Sequence, residues 1–203
     1  MNELPRPILL TAFEAFGGDK LNPTALILDR FPEEIGGFSV RKVLLPVEFV
    51  RAQEIAFSAY DACAPAAVIM LGQAGGRKAI SLEGTGRNLM NARIPDNAGY
   101  EPKGIPVAGD GPETLQATLP IEEILEAVRS QEIACERSDD AGGYVCNALL
   151  YGMLHHNNGA VPTGFIHVPY IPEQGHPDKP SMALSEIYRG IRTAVLTVAK
   201  KTK

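Results

Sequence analysis

The order of apolar and polar residues divides the chain into segments that predict strands and segments that predict helices. Ile8 to Phe13 and Ala66 to Leu71 are continuous apolar runs, which are typical of strands covered on both faces. Phe38 to Leu45 alternates and stops at Pro46, which also favours a strand. Weaker patterns predict short strands over Ala79 to Leu82, Leu89 to Arg93, Ile133 to Arg137 and Gly164 to Tyr170.

Helical spacing of apolar residues appears between these strands. Asn22 and Pro23 are favourable residues for the start of a helix, which we expect to run to about Phe31. Pro65 ends a second predicted helix because proline disrupts the helical hydrogen-bond pattern. The remaining predicted helices run from Val47 to Cys63, from Pro120 to about Ser130, from the turn before Cys146 to His156, and from near Ser181 to the C-terminal region.

This alternation predicts the fold class and the edge of the sheet at which a site would lie. Strands that alternate with helices indicate an α/β/α sandwich around a mostly parallel, doubly wound sheet, built as one domain over residues 1–203. Ligands of such folds bind beyond the carboxyl ends of the strands. Phe13 to Gly18, Gly72 to Arg77 and His167 all follow or end predicted strands, so we expect them to converge.

Composition excludes several classes of partner. Hydrophobic residues make up 45% of the chain, charged residues make up 21%, and the formal net charge is −5. Without a basic stripe, this balance argues against nucleic acid or an anionic membrane as the partner. The chain also lacks an apolar run of about 20 residues and an obvious secretory signal at its start, so the expected location is the cytoplasm.

The cysteines and histidines do not have the spacing of a metal site or a disulfide framework. Cys63, Cys135 and Cys146 are an odd number without CxxC spacing, so we expect free thiols. His155 and His156 are adjacent in a predicted helix and point to different faces, which makes a shared metal ligand set improbable. We therefore predict neither a metal nor a cofactor.

Cys146 and His167 suggest nucleophilic chemistry. Cys146 lies where a glycine-rich turn meets an apolar helix, and the first turn of a helix favours a thiolate over a thiol. His167 lies in the strand-like segment that follows and could serve as the base. The alternative interpretation is an inert core cysteine and a structural histidine, and spacing alone does not exclude it.

Several motifs together resemble one known family. GGYVCN, ending at Asn147, and GFIHVPY, ending at Tyr170, are similar to the active-site segments of pyroglutamyl peptidase I, the pyrrolidone-carboxylate cysteine peptidases. LTAFEAFGGDKLNPT near the N-terminus is similar to the substrate-binding loop of that family. GQAGGR, ISLE and NARIPDNAG resemble its second signature. The motifs occur in the order of the family from about Ile8 onward.

The resemblance implies a function and a set of site residues. It implies a Cys-His-Glu peptidase in which Cys146 attacks, His167 transfers the proton and Glu83 orients the imidazole. It implies peptides with N-terminal pyroglutamate as substrates, a pocket without a carboxylate for a free amine, and a homodimer or homotetramer. The substrate-binding residues that it implies are Phe13, Phe16, Gln73, Tyr144, Asn22 and Arg93.

The segment after Glu83 departs from the family pattern. The family usually has a basic residue, an aliphatic residue and alanine there, whereas this chain has Gly84, Thr85 and Gly86. Because glycine is flexible, we expect these residues to loosen the hold on Glu83. Two other readings stay open: a non-catalytic domain in which GQAGGR binds a small anion, and an inactive family member that acts as an interaction module.

Overall fold

The computed structural model describes residues 6–202, and this range contains nine strands and five α-helices. The strands are β1 (Ile8–Phe13), β2 (Glu34–Ile35), β3 (Phe38–Leu45), β4 (Ala67–Gln73), β5 (Ile80–Glu83), β6 (Thr85–Arg87), β7 (Thr114–Gln116), β8 (Cys135–Ser138) and β9 (Thr163–Val168). Seven of the strands form one sheet, in the order β2-β3-β1-β4-β9-β5-β8, and the other two form a separate ladder.

Helices cover both faces of the large sheet. They are α1 (Pro23–Arg30), α2 (Phe49–Cys63), α3 (Ile121–Arg129), α4 (Val145–Asn157) and α5 (Leu184–Lys201). One buried apolar cluster joins the sheet to α1, α3 and α5, and a second joins it to α2 and α4. The predicted α/β/α sandwich is therefore confirmed. None of the helices within residues 6–202 has the length and apolarity needed to cross a bilayer.

The directions of the strands decide which side chains share a face. β3, β1, β4 and β9 are parallel, while β5 runs antiparallel to β9 and parallel to β8. In the β5–β9 pair, Ser81 lies opposite His167 and Glu83 lies opposite Phe165. Since opposed residues of an antiparallel pair point to the same face, Glu83 and His167 project to one side of the sheet. Phe165 belongs to the α2 and α4 cluster, which identifies that side.

One predicted strand and one predicted helix start are wrong for identifiable reasons. Leu89 to Arg93 is not a strand and contributes only an isolated bridge at Met90, whereas β6 and β7 pair nearby. The Asn147 side chain accepts from Arg87 N and donates to the carbonyl oxygens of Arg87 and Leu89, so it takes backbone groups that a strand would use. Helix α5 starts at Leu184, because Ser181 instead forms a bridge with Tyr170.

Candidate active site

A cavity of about 550 Å³ lies at the carboxyl ends of the parallel strands. The ends of β1, β4 and β9 and the start of α4 form its walls. Glu83 does not line the cavity and lies behind it. All the other predicted site residues line it: Phe13, Phe16, Asn22, Gln73, Arg93, Tyr144, Cys146 and His167. The convergence expected from the topology is therefore observed.

Cys146 occupies the first turn of α4, directly after a turn that requires glycine. Gly142 has a φ of +82°, a conformation that side chains rarely adopt. A Cβ atom at Gly72 would lie 3.0 Å from the sulfur of Cys146. The thiol therefore packs against the backbone of Gly72, where there is no side chain. Gly72 is also the register partner of His167 across β4 and β9. The thiol therefore lies beside the strand position that neighbours the histidine.

His167 and Glu83 form a buried pair beneath the cavity. His167 Nδ1 lies 2.7 Å from Glu83 Oε1, and the two residues are only 3% and 1% exposed. A carboxylate can only accept, so the hydrogen bond assigns a proton to Nδ1. The other ring nitrogen, Nε2, is then the basic atom of the neutral imidazole.

Arg77 adds a positive charge to this pair, a role that the sequence pattern does not assign to it. Its Nη1 atom lies 2.8 Å from Glu83 Oε1, and its Nη2 atom donates to the carbonyl oxygen of Asp140. The guanidinium also lines the cavity. Its position in the glycine-rich loop after β4 is the only sequence signal that could have indicated it.

Burial opposes the thiolate that the helix start favours at Cys146. Burial and, to a smaller extent, the Glu83 carboxylate raise the pKa of Cys146 to about 12, while Arg77 and a backbone hydrogen bond act in the opposite direction. Removing a charge from water costs several kcal/mol, whereas a helix terminus contributes about 0.3–1 kcal/mol at an exposed site, so burial dominates. Burial likewise lowers the pKa of His167, although its hydrogen bond to Glu83 and the charge of Glu83 act in the opposite direction. Both pKa shifts favour a neutral thiol and a neutral imidazole over an ion pair.

Aromatic rings form the apolar wall of the cavity. Phe13 is buried, and the ring of the half-buried Phe16 lies 6.3 Å from that of Tyr144. Tyr144 also meets Phe49 edge to face at 5.3 Å. Its hydroxyl donates to the carbonyl oxygen of Pro95, so the polar atom of this ring has a partner. The wall is apolar without leaving the tyrosine hydroxyl unsatisfied.

Asn22 fastens the loop that carries the phenylalanines. Its Oδ1 atom accepts from Thr24 N at 2.9 Å and caps α1, while its Nδ2 atom donates to the carbonyl oxygen of Glu14 at 2.9 Å. Glu14 directly follows Phe13. One buried side chain therefore connects the start of α1 to the loop that forms part of the cavity wall.

Two charged residues lie at the rim of the cavity. Arg93 is exposed there, and Asp140 is an acidic residue that the family motifs do not include. The Asp140 carboxylate pairs with Arg87 and accepts from Gly142 N. The cavity is thus not free of carboxylates, but this one already has a cationic partner. Within residues 6–202, no group of three or more potential ligands could hold a metal ion.

The expectation that Gly84 and Gly86 loosen Glu83 is wrong. Glu83 ends a strand that is paired on both sides, with β8 and with β9. Gly84 extends the pairing with β8 by one residue, because its N–H donates to the carbonyl oxygen of Ser138 at 2.6 Å. A Cβ atom at Gly86 would lie 3.0 Å from the Cα atom of Tyr151 in α4. Gly86 thus permits a close approach of the helix that carries Cys146.

The fold and the site together define the class of the protein. A cysteine at a helix start, a histidine on the neighbouring strand and a buried carboxylate behind that histidine are the arrangement of a thiol-dependent hydrolase with an α/β fold. Comparisons with known proteins specify the family within this class.

Residues 6–201 match the family described as pyroglutamyl peptidase. Pyrrolidone-carboxylate peptidase 1 of Caldanaerobacter subterraneus subsp. tengcongensis is 41% identical over 198 residues, which are 95% of this chain and 98% of the relative. Pyrrolidone-carboxylate peptidase of Escherichia fergusonii is 40% identical over 197 residues, 95% of this chain and 92% of that protein.

Solved structures agree with these sequence relationships. Pyroglutamyl peptidase I of Bacillus amyloliquefaciens superposes with a TM-score of 0.93 at 34% identity, with 98% of each chain covered. A mutant pyrrolidone carboxyl peptidase of Pyrococcus furiosus also gives 0.93, at 35% identity, with 96% of this chain and 99% of the other covered. The chain belongs to the pyroglutamyl peptidase family.

Proposed function

We propose that this protein removes an N-terminal pyroglutamyl residue from peptides, with Cys146 as nucleophile, His167 as general base and acid, and Glu83 as the orienting carboxylate. The observation that carries the proposal is the 2.7 Å hydrogen bond between Glu83 and His167, formed directly behind a cavity that both His167 and Cys146 line. Family membership supports the same reaction. The alternative of a simple anion-binding domain is not favoured, because the arginine of GQAGGR is engaged by Glu83.

The neutral resting pair determines how the first step proceeds. Since the pKa of Cys146 is raised and that of His167 is lowered, no thiolate is stored before substrate binds. His167 Nε2 therefore takes the thiol proton as the sulfur attacks the pyroglutamyl carbonyl carbon. Glu83 stabilises the imidazolium that this transfer creates, because its carboxylate already accepts the hydrogen bond from Nδ1.

The later steps return the proton and regenerate the thiol. The imidazolium donates its proton to the leaving amine as the carbon–nitrogen bond breaks, which leaves a thioester on Cys146. Water then attacks the thioester and gives one proton to His167. The carbon–sulfur bond breaks, the sulfur recovers that proton, and free pyroglutamic acid leaves.

The start of α4 is suited to stabilise the negative charge that develops on the carbonyl oxygen. N–H groups in the first turn of a helix have no partner within the helix and point toward its N-terminal end. The first turn includes Val145 and Cys146, which both line the cavity. We assign the oxyanion site to these N–H groups, with the exposed Arg93 at the rim as an additional positive charge.

The substrate pocket is suited to a compact, uncharged ring. A pyroglutamyl lactam has two apolar faces, one N–H group and one ring carbonyl. Phe13, Phe16 and Tyr144 supply apolar walls, while the half of the cavity near β4 contributes the polar Gln73, which is 6% exposed. Asn22 holds the loop in place. A pocket of this kind selects a lactam over a charged N-terminal amine, which would lose its hydration without gaining an unpaired carboxylate.

The test is release of a fluorophore from pyroglutamyl-aminomethylcoumarin (pGlu-AMC) by the parent protein, Cys146→Ala and a control, Cys63→Ala. Cys63 is half-buried at the end of α2 and far in sequence from the site, so its loss should leave turnover intact. We expect Cys146→Ala to lower kcat by at least about 1,000-fold, as for loss of a catalytic nucleophile. Turnover by Cys146→Ala at the parent rate, or none by the parent, would refute the proposal.

Two further properties follow from family membership as expectations. We infer that the protein works in the cytoplasm on peptides and that it assembles as a homodimer or homotetramer. Its three cysteines are free thiols in the structure, which fits a reducing compartment. Light scattering after size-exclusion chromatography tests the assembly, because a mass equal to the 21.8 kDa of one chain would contradict it.

A further inference from the structure

The Glu83 carboxylate is buried with partners on only one of its two oxygens. Its Oε1 atom lies 2.7 Å from His167 Nδ1 and 2.8 Å from Arg77 Nη1, and its side chain is fully buried. Its Oε2 atom is also buried and has no hydrogen-bond partner among residues 6–202. Burying a carboxylate is costly unless a positive charge compensates it. The compensation for Glu83 therefore comes through Oε1.

The contact between Arg77 and Glu83 is an ion pair rather than an aligned hydrogen bond. The two atoms are close, but Arg77 Nη1 makes no hydrogen bond within the described part of the chain, so its N–H groups do not point at the carboxylate. The aligned hydrogen bond of this guanidinium is made by Nη2, which donates to the carbonyl oxygen of Asp140 at 2.9 Å. What Arg77 supplies to Glu83 is therefore mainly its charge.

These contacts give the cluster of Cys146, His167, Glu83 and Arg77 a simple charge balance. With the thiol and the imidazole neutral, the carboxylate and the guanidinium cancel. Without Arg77 the buried cluster would have a net negative charge, which makes it bind a proton more readily. Glu83 and His167 share a hydrogen bond, so that proton would belong to the pair. On the imidazole it would remove the base, and on the carboxylate it would remove the charge that stabilises the imidazolium.

Other charged residues near the cluster have partners of their own or face solvent. The Asp140 carboxylate, in the turn before α4, pairs with Arg87. Glu136 on β8 is exposed, and Arg93 is exposed at the rim of the cavity. The remaining titratable group is the neutral thiol at the start of α4. Among residues 6–202, Arg77 is thus the permanently charged residue that contacts the carboxylate behind the imidazole.

The directions of two pKa shifts agree with this balance. Burial lowers the pKa of His167 most, Glu83 raises it, and the charge of Arg77 lowers it again. Burial raises the pKa of Cys146 most and Glu83 raises it too, while Arg77 lowers it. Because Arg77 moves both pKa values in the same direction, it has little effect on proton transfer from the thiol to the imidazole. Its effect is on the pH at which the imidazole is free to accept that proton.

We propose that Arg77 is a positioning residue that acts through Glu83 and sets the lower pH limit of activity, because its charge prevents the Glu83–His167 pair from binding an extra proton. This inference rests on the proposed function and specifies how the catalytic base is kept free. Lysine should replace arginine at this position, because lysine keeps the charge. An uncharged side chain of similar length should not.

The experiment measures the acid limb of kcat/KM for pGlu-AMC in the parent, Arg77→Lys, Arg77→Met and a control, Lys78→Met. Lysine and methionine have similar lengths and neither reproduces the guanidinium fork, so their comparison isolates the charge. Lys78 is an exposed cation on the same loop. Arg77→Gln makes the same comparison if methionine prevents folding.

The sign follows from the charge that is removed. Losing a positive charge lets the pair bind its extra proton at higher pH, so activity is lost at higher pH. We expect Arg77→Met to raise the acid limb by about one pH unit, which lowers kcat/KM about tenfold on the acid side. Arg77→Lys and Lys78→Met should stay within about 0.3 pH unit of the parent. Above the limb, Arg77→Met and Arg77→Lys should agree within about threefold, because proton transfer to the imidazole is little changed.

A double variant tests the charge balance directly. Glu83→Gln alone gives the cluster a net positive charge and should lower the acid limb, whereas adding Arg77→Met removes that charge and should return the limb toward the parent value. A limb at the parent pH in Arg77→Met, or one raised equally in Arg77→Lys, would overturn the inference. An equal loss of kcat/KM at every pH would assign Arg77 a merely structural role and overturn it as well. An inactive parent refutes the proposed function itself, whereas an active parent whose limb ignores Arg77 refutes only this inference.

Discussion

Gly86→Ala and Gly84→Ala form a matched pair that tests how tightly the Glu83 segment packs against α4. At Gly86 the new Cβ would lie 3.0 Å from Tyr151 Cα and 3.1 Å from Tyr151 N, so the backbone of α4 has to move. At Gly84 the three nearest atoms belong to the side-chain ends of Arg137 and Asp139, which are exposed and can move away. Neither glycine has a positive φ, so alanine is conformationally allowed at both positions.

Gly86→Ala should destabilise the protein, whereas Gly84→Ala should change its free energy of unfolding little. Overpacking costs about 1–3 kcal/mol, while replacing glycine by alanine returns about 0.4–1 kcal/mol through the unfolded chain. Gly86→Ala should therefore lower stability by about 1–2 kcal/mol, and Gly84→Ala should stay within about 0.5 kcal/mol of the parent. For a domain of this size, 1 kcal/mol corresponds to about 2–4 °C, so Gly86→Ala should lower Tm by about 2–8 °C.

The effect on turnover follows from the same displacement. Tyr151 and Cys146 lie on one helix, so moving α4 away from residue 86 shifts the thiol relative to His167. Misplacement by 1 Å can cost about 100-fold in rate, and a shift of a few tenths of an ångström should lower kcat/KM by about three- to tenfold. Calorimetry and pGlu-AMC kinetics measure both effects. Equal behaviour of the two alanine variants, or a stabilised Gly86→Ala, would show that the close approach of α4 has no energetic importance.

Three further predictions concern the chemistry of the site. Glu83→Gln should lower kcat by about 100- to 10,000-fold, because an amide can donate to His167 Nδ1 and favour the wrong tautomer; unchanged kcat would contradict the orienting role. The acid limb of kcat/KM should lie below pH 6.5, because the lowered pKa of His167 keeps its imidazole neutral and basic to lower pH. Glu83→Gln should move this limb further down, since it removes an interaction that raises that pKa, and a limb at or above pH 6.5 in the parent would refute this sign. Glutaminyl-aminomethylcoumarin should remain uncleaved where pGlu-AMC is cleaved, and comparable kcat/KM values would contradict the lactam-specific pocket.

The parts of the fold that sequence predicts well are those where one local rule dominates. The apolar runs of β1 and β4 are typical of buried strands, and Asn22 with Pro23 marks the start of α1. The strand predicted over Leu89 to Arg93 fails because a distant side chain, Asn147, captures the backbone there. No local pattern carries that information.

The site shows the same limit. The glycine-rich turn identifies the position of Cys146, but the direction of the shift in its pKa depends on burial and on charges from separate segments. Arg77 lies in a glycine-rich loop, and only the folded chain brings its guanidinium to Glu83. The effect of Gly86 is likewise set by the distance to a helix more than 50 residues away, which spacing along the sequence cannot give.

The antiparallel register of β5 and β9 makes the chemistry of this enzyme inseparable from its global fold. Glu83 reaches His167 diagonally across two neighbouring strands in the interior of the sheet, with no loop between them. A slip of one residue would turn the carboxylate to the opposite face, and fraying of β5 would remove it altogether. Forms in which β5 has separated from β9 should therefore lose most of their activity, and heat inactivation should coincide with loss of the sheet.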